Sequence, residues 1–341
     1  MVGSTSNFWQ FEAYGLPEDV LEQATIELPA PGAGQALVSI RAIGLNRSEF
    51  NYVQGRYMPA PAFPSCLGQE AVGEVVALGE PDPENPAPLG PLKVGQRVAL
   101  LPGRMDMAGM GSYRDVGLYE QSALAPVPES YSDAEGAALW MAVLTMGGAL
   151  ELAGVSADNA AGKIVLLTAA SSSMGVVALK LLRAWGATSI ATTRDAAKAS
   201  VLAELADEAL VCADAESLAS GVQAAGGGFD VALDPVGQAF YPGLLESAST
   251  GATIVSYEMI SGREPLMPIP LVMMKDLALK GFTIFRVYRR PGLLDALLEV
   301  GMEHAESIRP LIADRFPLSE APRAVAAMGR AEHVGKIVLD V

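Results

Sequence analysis

"GKIVLLTAASSSMGVVALKLLRAWGATSIATTRDAAK", residues 162–198, decides the fold. Its first apolar run, IVLL, is bounded by Gly162 and a turn of small residues, and is too short for a buried helix; it reads as a buried strand. "SMGVVALKLLRAWGA" repeats apolar residues at helical spacing and ends in a glycine, the pattern of a helix and its stop. "TSIATT" then reads as a second strand. Strand, tight turn, helix and strand in this order form the unit of a parallel sheet.

Downstream the alternation continues: helix "DAAKASVLAELA", strand "DEALVC", helix "AESLASGVQAAGGG", then strands "FDVALD", "GATIVSY" and "LKGFTIFRV" with helical segments between. Such a series predicts an α/β fold built on a Rossmann-type, doubly wound parallel sheet. Upstream, "SDAEGAALWMAVLTMGGALELAG" predicts a helix with Ser132 as N-cap and Glu135 closing a capping box. Before it the chain reads as short strands, among them "QALVSIRAIGLN", "EAVGEVVALG" and "GQRVALL". "GEPDPENPAPLGPLKVG" (79–95) is a surface loop, because its prolines fit neither a helix nor a central strand. "GRMDMAGMGSYRDVG" (103–117) reads as a mobile loop bordering a pocket, or as packing filler. The tail returns to strand, helix and strand. The expected division is therefore a β-rich domain over 1–131, rejoined by 305–341, and a nucleotide-binding domain over 132–304.

Composition narrows the function. The 341 residues carry a formal charge of −16, with 50% hydrophobic and 18% charged, which fits a soluble enzyme. Nucleic acid and anionic membranes both need a basic face, so neither is an expected partner. The N-terminus lacks a signal-peptide pattern, and the expected location is cytoplasmic. Two cysteines, Cys66 and Cys212, far apart in sequence, do not make a disulfide framework. With two histidines besides, His304 and His333, no set has the spacing of a zinc site, which takes about three or four ligands. No metal is expected, and both histidines read as surface residues.

The first strand–helix turn is where a dinucleotide fold places G-x-G-x-x-G. Here Ala170, Ser172 and Gly175 hold the three glycine positions. Ala and Ser are the smallest substitutes, and Gly175 permits close helix–strand packing. The amides and hydroxyls of Ser171, Ser172 and Ser173, with Met174 beside them, stand at a helix N-terminus that favours an anion; the alternative is a serine-rich cap without a ligand. At the end of the second strand, where an acidic residue would select NAD, stand Thr193, Arg194 and Lys198. Arg194 offers a fork and Lys198 a point charge for a 2′-phosphate. The expected cofactor is NADPH.

"AIGLNRSEFNYVQGRYMPAPAFPSCLGQEAVGEV", "LWMAVLTMGGAL", the serine turn, "ATTRDAAK" and the closing "GKIVL" together resemble the medium-chain dehydrogenase/reductase superfamily, specifically its zinc-free quinone oxidoreductase and enoyl reductase branch. The resemblance covers essentially the whole chain. It implies a GroES-like β-rich catalytic domain beside the Rossmann domain, and a homodimer joined at the edge of the nucleotide-binding sheet. Zinc-dependent relatives carry Cys and His where this chain has Asn46 and Gln69. The resemblance further implies that Asn46 lies near nicotinamide and substrate, and that Tyr57 donates a proton or a hydrogen bond to the substrate carbonyl. It places Asn51 and Tyr52 with the substrate, Asn at 51 pointing toward alkene reduction. Thr145, Ser256, Tyr257, Thr283, Ile284 and Phe285 would line the nicotinamide.

The chemistry fits those residue types. Hydride transfer to a conjugated carbon builds negative charge on the carbonyl oxygen, and a phenol or amide N–H stabilises it without a metal. The expectation is an NADPH-dependent reductase of quinones or α,β-unsaturated carbonyls. The alternatives are an enoyl thioester reductase and a non-catalytic NADPH-binding redox sensor. Arg286, Arg289 and Arg290 would serve either a substrate carboxylate or coenzyme A phosphate, or an exposed dimer edge.

Overall fold

The computed structural model describes residues 4–57, 59, 60, 62–262 and 264–341. The chain divides into two compact units. One runs to Met141 and is completed by Arg309–Val341; the other is Ala142–Ile308.

The second unit is built on six strands, Ile164–Leu167, Thr188–Thr193, Glu208–Val211, Phe229–Asp234, Ala248–Ser256 and Ala278–Gly281. Numbered along the chain, they lie in the order 3-2-1-4-5-6 and every pair is parallel. This is the strand order of a dinucleotide-binding sheet, with its switch point beside the first strand. Val165, Leu166 and Leu167 are buried because a parallel sheet is covered by helices on both faces. Helix Ser173–Ala184 follows the first strand, and its chain reverses at Gly186 with φ +76°. The sixth strand is shorter than "LKGFTIFRV" suggests. It stops at Gly281, and Phe285–Arg289 forms a helical turn, with Arg286 N donating to Thr283 O at 2.9 Å. A short apolar run does not by itself distinguish strand from helix.

The first unit is β-rich, and its strands pair antiparallel except Ile312–Pro317, which runs parallel to Lys336–Asp340. Its largest sheet runs Ile312–Pro317, Lys336–Asp340, Gln35–Gly44, Ala71–Leu78, Arg97–Leu100 and Leu124–Pro126, with Val116–Glu120 also paired to Gln35–Gly44. The C-terminal strand thus enters the middle of a sheet begun near the N-terminus, Val338 opposite Gly44. Residues 79–95 form a loop. The segment 103–117 is not the mobile loop its composition suggests. Ser112, Tyr113 and Arg114 are buried, and Tyr113 joins the backbone of Leu67 and Trp9 at 3.2 and 3.0 Å. Ser132 caps as expected: its N–H donates to Glu135 Oε2 at 2.7 Å, and its Oγ accepts from Glu135 N at 3.3 Å. The capped helix is one turn, Asp133–Gly136, and packs on this unit; a second helix, Trp140–Leu152, follows. The break coincides with Met141 N, which donates to the Glu70 carboxylate at 3.1 Å.

Candidate functional site

In the nucleotide-binding unit, the turn after the first strand is held tightly. Ala170 N donates to Thr192 O on the neighbouring strand at 3.0 Å, and Ala169 adopts φ +49°, a conformation costly for a residue with a Cβ. Gly175 is needed where it stands: a Cβ there would lie 2.3 Å from Ala170 O. Ser172 is the helix N-cap, its Oγ accepting from Gly175 N at 3.2 Å, so that hydroxyl serves the helix. Ser171, Ser173 and Met174 flank it, half-buried. Thr193 closes the second strand with its Oγ1 accepting from Asp195 N at 3.2 Å. Arg194 is exposed, Asp195 caps the next helix, and Lys198 lies half-buried in that helix. Thr192 Oγ1 is buried without a hydrogen-bond partner. A helix N-terminus after a turn that a Cβ would fill, with an orphaned hydroxyl and an exposed cation on the adjoining strand end, fits a dinucleotide.

At the far strand ends, Ser256 Oγ and Tyr241 OH are 2.8 Å apart, and Tyr257 N donates to Asp234 O at 3.1 Å. Thr283, Ile284 and Phe285 follow the sixth strand instead of ending it, Thr283 and Phe285 exposed. Thr145 is half-buried in helix Trp140–Leu152. Arg286 and Arg290 both pair with Glu151, at 3.1 and 2.7 Å, so these two share one carboxylate and are not bare edge charges. His304 is not a bare surface residue either, since its Nε2 accepts from Trp185 Nε1 at 3.3 Å.

In the β-rich unit, helix Arg47–Val53 positions the expected substrate-side residues. Asn46 caps it, its backbone N–H donating to Glu49 Oε2 at 3.1 Å. The Asn46 side chain is 7% exposed and sits among charges. Its Nδ2 donates to Glu70 Oε1 at 3.2 Å, and its Oδ1 accepts from Lys336 Nζ at 2.8 Å. Lys336 also pairs with the Glu70 carboxylate, and both side chains are buried. Glu49 accepts from Tyr113 OH at 2.8 Å and from Gln69 N at 3.0 Å. Burial outweighs these hydrogen bonds and pushes its carboxyl up to about 7. The Gln69 side chain turns to Ser48 Oγ, 2.8 Å away.

One helical turn on, Tyr52 belongs to the core and not to a substrate wall. It is 1% exposed, its hydroxyl is 2.7 Å from Ser65 Oγ, and its ring meets Phe11 edge-on. Asn51 is half-buried on the same helix, and Tyr57 lies beyond the helix end with 44% of its surface exposed. Glu49, Glu70, Tyr113 and Lys336 were not singled out from sequence. The available signal was an ionised residue inside an apolar strand, as in "GKIVL".

Comparison with known proteins agrees with both units. Residues 32–129 match the alcohol dehydrogenase GroES-like domain and residues 173–299 the zinc-binding dehydrogenase domain. A quinone oxidoreductase of Pseudomonas aeruginosa is 30% identical over 97% of this chain and 98% of its own length. The chain belongs to the medium-chain dehydrogenase/reductase superfamily. Within it, the relatives place this medium-chain enzyme in the quinone oxidoreductase and enoyl reductase branch. The mitochondrial enoyl-[acyl-carrier-protein] reductase of Caenorhabditis elegans is 26% identical over 82% of this chain and 77% of its own length. A quinone oxidoreductase of Thermus thermophilus, also solved in complex with NADPH, superposes with a TM-score of 0.79 at 25% identity, covering 98% of this chain and 100% of that one. The medium-chain enzyme is therefore an oxidoreductase. Among its described residues no cluster of three or more His, Cys, Asp or Glu is placed to hold a metal ion, and no helix is long and apolar enough to cross a membrane.

Proposed function

We propose that the chain is an NADPH-dependent reductase that needs no metal and delivers hydride to quinones or to α,β-unsaturated carbonyl double bonds. One observation carries the reading. The two positions where zinc-dependent relatives place a thiolate and an imidazole hold amides, Asn46 and Gln69, each engaged in hydrogen bonds within its own unit. Carboxamides are poor ligands for zinc but good donors to an oxyanion.

The helix turn at Ser171–Gly175 would hold the pyrophosphate, and Arg194 with Lys198 the 2′-phosphate. Bound NADPH supplies the hydride. Tyr57, exposed and beyond the helix end, is the residue we assign to meet the substrate oxygen and to supply a proton or a hydrogen bond. Asn46 offers an amide N–H to the same negative charge. Strand Ala278–Gly281 is an edge strand at one end of the six-stranded sheet, a position that supports a homodimer. Cys66 and Cys212, both buried and unpaired, suit a reducing, cytoplasmic setting. The formal charge of −16 favours small neutral acceptors over long anionic thioesters.

The test is NADPH consumption against a panel of quinones, enones and enoyl thioesters. Turnover is expected with the first two. Tight NADPH binding with no turnover on any of them would replace this reading with that of a sensor.

A further inference from the structure

Lys336 is fully buried, in a strand whose neighbours Ile337, Val338 and Leu339 are core residues. Burying an ammonium is costly, and an apolar residue of similar volume commonly serves stability as well or better. The geometry shows what the charge does. A carboxamide has two ends of nearly the same shape, and its orientation is set by its partners. The ammonium takes Asn46 Oδ1, and the carboxylate of Glu70 takes Nδ2. A flipped amide would set oxygen against carboxylate and N–H against ammonium, so only one orientation survives. In it, Nδ2 is 3.2 Å from Glu70 Oε1 and 3.4 Å from both Gly44 O and Glu49 Oε1, the last two at the limit of a hydrogen bond. Those two long contacts are the ones a stronger acceptor would replace.

The backbone has made room for this arrangement. A Cβ on Gly44 would lie 2.1 Å from Ala137 O, and also 2.8 Å from Lys336 Cε and 3.0 Å from Glu70 Oε1. Met141 N, on the first turn of its helix, adds a further donor to Glu70, which fixes the carboxylate that in turn fixes the amide.

We propose that Lys336 is a positioning residue for the reduction: with Glu70 it locks the Asn46 carboxamide so that one N–H is presented to the oxygen that gains charge. This rests on the function proposed above. The same pair serving only to neutralise itself would make different predictions.

The experiment compares wild type with Lys336→Met/Glu70→Gln, which removes both charges together, and with each background carrying Asn46→Ala. A simple cyclic enone is the substrate. The double variant is expected to melt near wild type and to bind NADPH unchanged. Its kcat should fall roughly 10- to 100-fold, the scale of a misplaced group, with KM little altered. On top of Asn46→Ala, loss of the two charges should cost nothing further in kcat. Wild-type kcat in the double variant, or fully additive losses, would overturn the proposal. A readout independent of turnover is the side-chain amide of Asn46 in wild-type protein, followed by NMR. Slow exchange of both protons with solvent is expected, and exchange as fast as that of an exposed asparagine overturns the proposal even where the variants do not fold. Absence of NADPH oxidation by wild type on every enone and quinone would count against the proposed reaction alone; the amide measurement would still test whether the Asn46 carboxamide is locked.

Discussion

Tyr113 donates its hydroxyl to Glu49 Oε2 at 2.8 Å, and both side chains are buried. Glu49 also faces Lys336 and the Asn46 and Gln69 amides. Desolvation nevertheless raises its carboxyl from 4.5 to about 7, so the folded chain retains a proton that the unfolded chain releases. Stability from this group is complete below pH 4.5 and is lost as pH rises toward about 7, by a few kcal/mol in order of magnitude. Glu49→Gln removes that dependence. Thermal melts at several pH values should show the variant gaining on wild type between pH 4.5 and 7; parallel curves would mean that Glu49 does not titrate there.

Arg194→Ala should weaken NADPH binding roughly ten- to a hundredfold, the scale of a lost charge-assisted hydrogen bond. NADH should hardly respond. Titration of both cofactors by fluorescence checks this, and equal weakening would assign Arg194 to the fold.

Tyr57→Phe should slow hydride transfer to an enone by up to about 10²–10³, the effect of deleting one oxyanion donor. Quinones accept hydride more readily and should lose less. Cofactor affinity and melting temperature should stay near wild type, since the ring is exposed. Single-turnover NADPH oxidation in a stopped-flow instrument is the measurement; an unchanged enone rate would remove Tyr57 from the chemistry.

Purified enzyme should contain no stoichiometric zinc, and chelators should leave its activity intact, because Asn46 and Gln69 replace the thiolate and imidazole that zinc prefers. Elemental analysis finding about one zinc per chain would overturn this.

The parallel sheet was legible because local signals agreed. Phe229–Asp234 and Thr188–Thr193 occupy the segments their apolar runs mark, and Ser132 caps where its spacing with Glu135 requires. Where periodicity is short, tertiary hydrogen bonding decided instead: "FTIFRV" leaves the sheet after Gly281 and turns helical. Tyr52 was legible as an aromatic near the substrate-side helix, but which face it occupies depends on Phe11 and Ser65, remote in sequence. The charged cluster was the least legible part. Lys336 and Asn46 are 290 positions apart, and no window of sequence contains both.

The late arrival of one strand has a temporal consequence. Ala142–Ile308 is continuous in the chain and can fold as it leaves the ribosome, whereas residues 42–44 of strand Gln35–Gly44, a strand otherwise paired with Ala71–Leu78 and Val116–Glu120, lack their second partner until Lys336–Asp340 has been made. At about 5–20 residues per second, that interval lasts roughly a quarter of a minute to a minute. Through it residues 42–44 present a short unpaired edge, the kind of surface that recruits other strands. A ribosome stalled before Lys336 would therefore carry a complete Ala142–Ile308 unit and a first unit whose sheet is still open at residues 42–44.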